Sequence, residues 1–114
     1  MSKFELYLGD ILRAIKLMEE SAKNKSLEGF KTNRESVDAA AMRLQIIGES
    51  IKKLPEKLRI KHKKVEWNKY LRTRNIISHA YFAINPEILW SIIIKDLPKL
   101  KKEIRNILEN EKSK

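Results

Sequence analysis

Residues 72–82 read RTRNIISHAYF, bringing two guanidiniums, an amide, an imidazole and a phenol within a few helical turns of one another. An imidazole, with an ordinary pKa of about 6.5, can take or give a proton near neutrality. A guanidinium can hold an anion through a planar fork of N–H donors. The rest of the chain offers no comparable chemistry: it has no glycine-rich loop, no paired-carboxylate motif and no cysteine. If the protein is an enzyme, this run is its active site.

Wound as a helix at about 100° per residue, the stretch from Trp67 to Tyr81 sorts into faces. Trp67, Tyr70, Leu71 and Ile77 gather on one side, which should meet a core. Arg72, Asn75 and His79 gather on another; Asn75 and His79 are i, i+4 neighbours, so the amide could orient the imidazole. Arg74 falls in the middle of the apolar side. A charge there is costly unless it is paired or opens onto an interface or an anionic ligand. Glu49 is a candidate partner. Taken singly, each residue also has a plain reading: His79 a polar helix end, Tyr81 and Phe82 core aromatics, Arg74 half of an ion pair.

The elements that must position these groups read as helices. Phe4, Leu8, Ile11, Ile15 and Met18 recur every three or four residues and predict a first helix over roughly 3–23. Residues 24–31, with Gly29, break the pattern. A second helix is expected from Thr32 or Asn33, where Thr32 and Glu35 have capping-box spacing. Its inward face is Val37, Ala40, Ala41, Leu44, Ile47, Gly48 and Ile51. A glycine within that stripe costs about 1 kcal/mol of helix propensity; it is tolerated if another helix approaches closely. Pro55 stops the helix after Leu54.

A turn through a basic cluster then leads to a helix over about 66–79. Asn85-Pro86 reads as an N-cap followed by proline at the first helical position. The last long helix that follows has a stripe of Leu89, Ile92, Ile93, Leu97, Leu100, Ile104 and Leu108. Pro98 should kink it, or Asp96 starts a separate helix. The expected fold is all-α: an antiparallel bundle of four main helices, the last one kinked, plus short helical turns, in a single domain spanning 1–114.

Composition narrows the function classes. A 42% hydrophobic fraction beside 35% charged residues fits a folded, soluble protein, not a disordered tail. The longest apolar runs, such as Ile92 to Ile94, are far too short to cross a bilayer, and the N-terminus shows no signal-peptide core. A cytoplasmic location is expected. With no cysteine and two histidines, a structural zinc site is not expected, and no motif calls for a cofactor. The net charge of +10 points to polyanions. Lys57, Arg59, Lys61, Lys63 and Lys64 form one basic cluster, with His62 among them; Lys99, Lys101, Lys102 and Arg105 form another. These lysines could equally be the solvated face of a small helical protein.

Over residues 38–107 the chain resembles the HepT-like branch of the HEPN superfamily, the toxin subunits paired with minimal nucleotidyltransferase antitoxins. The matching pieces are RLQIIGES in the second helix, EW before the third, RNIISHAYF, and NPEILWSIIIKDLPKLKKEI in the last. The family motif (arginine, four residues, histidine, one residue, tyrosine) falls on Arg74, His79 and Tyr81, with Asn75 in the polar position that follows the arginine. Ala80 departs from the glycine that many relatives carry there. The resemblance implies a HEPN-like fold and a metal-independent endoribonuclease that works as a homodimer through Arg74, Asn75 and His79.

In that chemistry His79 would take the proton of a ribose 2′-hydroxyl or protonate the leaving 5′-oxygen, while Arg74 neutralises the phosphate. One histidine cannot readily be acid and base in a single step, so a dimer would supply the second. In related toxin pairs the nucleotidyltransferase transfers AMP to the motif tyrosine and silences the nuclease, which makes Tyr81 the candidate for modification. Arg72, Lys57, Arg59, Lys61, Lys63 and Lys64 are candidate RNA contacts. Two rival readings stand beside this one: a non-catalytic helical module that binds nucleotides or docks a nucleotidyltransferase, and a structural dimer whose charge is incidental.

Overall fold

Ser2 opens the first helix with a reciprocal cap: its hydroxyl accepts from the Glu5 amide at 3.4 Å, and the Glu5 carboxylate accepts from the Ser2 amide at 3.4 Å. From there the computed structural model, which describes residues 2–112, is built of helices. They are α1 (Lys3–Ala22), α2 (Leu27–Lys31), α3 (Arg34–Lys53), α4 (Glu56–Lys61) and α5 (Trp67–Ala80). A 3₁₀ turn (Tyr81–Ala83) then leads to α6 (Pro86–Ser91), a π-helical turn (Ile92–Asp96) and α7 (Leu97–Lys112). Among the described residues there is no strand, and no helix is long and apolar enough to cross a membrane.

The fold is the expected all-α bundle. Helix α3 lies between α1 and α5, and α7 closes against α1. Short connections between helices of this length force neighbours to run antiparallel. All seven residues of the predicted α3 stripe are buried, as are Leu8, Ile11, Ile15 and Met18 of α1. Burying each large aliphatic side chain contributes about 1.5–3 kcal/mol. The last stripe is rotated slightly at its end, where Ile107 is buried and Leu108 only partly so.

Four local details differ from expectation, each for a physical reason. The cap of α3 is Asn33, whose side-chain oxygen accepts from the Ser36 amide at 3.1 Å; Thr32 instead donates its hydroxyl to the Glu28 carbonyl at 2.7 Å. Residues 27–31 form α2 despite their broken pattern, because Ser26 caps Gly29 and Phe30 is buried against Trp90, ring centroids 5.2 Å apart. The basic cluster begins as α4, whose end carbonyls on Arg59 and His62 both accept from the buried Trp67 indole at 3.1 Å. Finally, Asp96 caps no separate helix: the backbone stays helical from α6 through the π turn into α7, and the Asp96 carboxylate pairs with Lys69 at 2.8 Å. The last helix instead widens into the π turn just before Pro98, where proline supplies no N–H for a normal α turn.

Candidate active site

Helix α5 carries the site, and its approach to α3 sets the geometry. An ideal Cβ on Gly48 would lie 2.4 Å from Arg74 Cβ and 3.1 Å from the Tyr70 carbonyl oxygen. Only glycine leaves room for the arginine stem to cross α3 at that height. The close helix approach expected from Gly48 is therefore real, and the residue filling it is Arg74.

Arg74 itself is 21% exposed and its charge is met within the chain. One terminal nitrogen pairs with Glu49 Oε1, the other donates to Asn75 Oδ1 at 3.1 Å, and Nε lies buried with no hydrogen-bond partner among the described residues. Asn75 thus turns its carbonyl to Arg74, and the amide–imidazole contact expected from their i, i+4 spacing is absent. His79 is exposed, and no described residue hydrogen-bonds its ring. A proton donor or acceptor open to solvent therefore stands on the same helix as a seated guanidinium.

The 3₁₀ turn after α5 holds two aromatics. The Tyr81 hydroxyl is buried without a hydrogen-bond partner among the described residues. Phe82, read from sequence as a core aromatic, is 91% exposed. It meets Tyr81 edge-on, centroids 5.3 Å apart. Above both rings lies the Arg34 guanidinium of α3, 5.1 Å from Tyr81 and 5.9 Å from Phe82, and Asp38 holds it at 3.0 Å. Sequence reasoning missed Arg34 altogether, because nothing links it to the motif until α3 and α5 pack.

Most of the basic candidates gather, but not all. Arg59, Lys63, Lys64 and Arg72 line one groove of about 650 Å³, together with Lys69, Asn68 and Trp67. Two carboxylates, Glu56 and Glu66, share its rim. Lys61 is turned elsewhere and pairs with Glu111 at 2.8 Å, and His62 contacts the same carboxylate at 3.1 Å. Lys61 first, then His62, hold the Glu111 carboxyl below its usual pKa. Lys57 is exposed on α4 outside the groove lining. Arg72, Asn75 and His79 share a face of α5; Arg72 lines the groove, Asn75 and His79 do not, and His79 stands about 10 Å farther along the helix at 1.5 Å per residue.

Among the described residues no group of three or more His, Cys, Asp or Glu side chains gathers as a metal centre would need. The family model described as Ribonuclease HepT-like matches residues 11–107, most of the chain and the whole of this site.

The chain belongs to the HepT-like ribonuclease family.

Relatives of this HepT-like chain point the same way. It is 38% identical over 93% of its length to a protein of Caldanaerobacter subterraneus subsp. tengcongensis provisionally named an RNase, covering 95% of that protein. A probable ribonuclease HepT of Thermococcus cleftensis is 35% identical over 83% of the chain and 86% of the relative. A Methanocaldococcus jannaschii protein, named a gamma-glutamylcyclotransferase and provisionally an RNase, is 39% identical over 92% of the chain. The HepT-like chain spans only 47% of that longer relative. No solved structure gives a significant match.

Proposed function

We propose that this HepT-like chain is a metal-independent endoribonuclease, the toxin of a toxin–antitoxin pair, acting through Arg74, Asn75 and His79. The observation that carries the reading is an exposed, unengaged imidazole at the end of a cation-lined face whose arginine is already seated. RNA would enter along the groove of Arg59, Lys63, Lys64 and Arg72, with its phosphates spread over the α5 face. His79 would take the 2′-hydroxyl proton, or give one to the departing 5′-oxygen. The bond from the 2′-oxygen to phosphorus forms as the bond to the 5′-oxygen breaks, leaving a 2′,3′-cyclic phosphate and a 5′-hydroxyl. Arg74 would neutralise the charge building on the phosphate oxygens.

The step needs an acid and a base, and one chain offers a single unengaged histidine beside Arg74. A second copy supplies the other. Support comes from the apolar surface bordering the motif: Met42 is 60% and Ile46 41% exposed on α3, and Met42 shares a groove with Ile77, Ser78 and Tyr81. Closing that surface against its own copy would bury it and bring two motifs towards one cleft. Neutralisation by a nucleotidyltransferase that transfers AMP to Tyr81 completes the reading. With its hydroxyl buried, that transfer requires the Tyr81–Ala83 turn to swing outward first.

One observation favours a second reading. Arg74 is already paired with Glu49, so a ligand phosphate must share or displace that carboxylate, as a binding module without turnover would tolerate. RNA cleavage with a chelator present separates the two. The nuclease reading expects wild-type protein to cut single-stranded RNA to cyclic-phosphate ends. It expects His79→Ala to slow cleavage by about 10²–10⁴-fold, the worth of a positioned acid or base. Undiminished cleavage by His79→Ala would discard it.

A further inference from the structure

We propose that Phe82, braced by Arg34, is a stacking platform for an unpaired base flanking the scissile phosphate. This rests on the ribonuclease reading and adds to it a side chain that would hold the single strand beside the scissile phosphate.

Phe82 is the most exposed large apolar side chain among the described residues, at 91%. It is also held in place. Tyr81 packs against its edge, and Arg34, anchored by Asp38 at 3.0 Å, lies over both rings. A ring kept in water forgoes the stabilisation of burial. Fixing it there with a cation from another helix makes sense only if something covers it later. An aromatic face beside a guanidinium fits a nucleobase, which stacks on the ring while its phosphate meets the charge. The platform lies three residues beyond His79, at the end of the face along which the RNA phosphates would run. A second copy of this chain is the rival cover. Asp38 offsets the charge of Arg34 itself, but the net charge of +10 on the whole chain draws a polyanion to whatever a second copy seated on the neighbouring Met42 groove leaves open. Duplex RNA keeps its base faces stacked internally and offers the ring nothing.

The test uses the full chain carrying His79→Ala, so that bound RNA is not consumed. Affinity is measured for a single-stranded oligonucleotide, for the same strand with one abasic position moved along it, and for a duplex. Adding Phe82→Ala should weaken single-strand binding about tenfold and leave duplex binding unchanged. One abasic position should reproduce that loss, and combining it with Phe82→Ala should add nothing further. Phe82→Trp should retain full affinity. The inference is overturned if Phe82→Ala leaves single-strand affinity unchanged, or if it turns a dimer into a monomer in light scattering without that loss. Non-additivity in a chain whose wild type cuts no RNA would remove the nuclease reading and leave the platform standing. Cleavage without non-additivity would do the reverse.

Discussion

Arg74 sits where an apolar side chain would be expected, and the structure shows how a charge survives there. Glycine opposite clears a path for its stem, Glu49 meets one end of the guanidinium and Asn75 the other. The same arrangement makes Glu49 a competitor for any incoming phosphate. Two like charges about 4 Å apart in a water-like medium oppose each other by about 1 kcal/mol. Glu49→Gln keeps the shape of the contact and removes that repulsion. It should therefore tighten binding of an uncleavable 2′-deoxy oligonucleotide on the order of fivefold, measured by fluorescence anisotropy. The pair is partly exposed, so the loss of folding stability should stay on the order of 1 kcal/mol. Unchanged or weaker binding would show that Glu49 does not stand in the path of the phosphate.

The contact of α3 with α5 turns on glycine, and two glycines in long helices should respond oppositely to the same change. Alanine gains about 1 kcal/mol of helix propensity over glycine wherever its methyl group fits. On α1 the added methyl at Gly9 meets nothing within 4 Å, so Gly9→Ala should raise the thermal midpoint by a few degrees. At Gly48 it would strike the base of the Arg74 side chain, an atom that cannot move without α5. Overpacking of this kind costs about 1–3 kcal/mol. Gly48→Ala should therefore lower the midpoint and disturb Arg74; a midpoint as high as that of Gly9→Ala would refute the close approach. The periodic stripes of α1 and α3 were legible in sequence because long helices bury one face and repeat it. What escaped was set by distant contacts. Helix α2 depends on Phe30 meeting Trp90, α4 on the Trp67 indole, and the π turn on Pro98 within a packed helix. The site divides the same way. The motif is local and readable, but Asn75 turning to Arg74, the exposure of Phe82 and the brace from Arg34 exist only once α3 and α5 are packed.

A net charge of +10 on a small helical bundle attracts polyanions everywhere, so the question is whether the molecule focuses that field. Ion pairs decide much of it. Lys61 is offset by Glu111, Lys69 by Asp96, Lys101 by Glu19 and Arg13 by Asp10. Among the described residues no carboxylate pairs with Arg59, Lys63, Lys64 or Arg72, and all four line one groove beside the start of α5, the helix that carries His79 farther along. A second cationic groove, between α1 and α7, is lined by Arg13, Lys16, Lys101 and Arg105, two of them already paired. If RNA follows the first groove, its phosphates release counterions there. The logarithm of affinity then falls with the logarithm of salt by about 0.7 per phosphate neutralised on a single strand. Lys63→Ala with Lys64→Ala should flatten that slope by about 1.4, two contacts at 0.7 each. Lys16→Ala with Arg105→Ala, on the other groove, should lower affinity only through net charge and leave the slope nearly intact. Equal flattening by both pairs would mean that the bundle holds RNA by diffuse charge alone, with no track leading to His79.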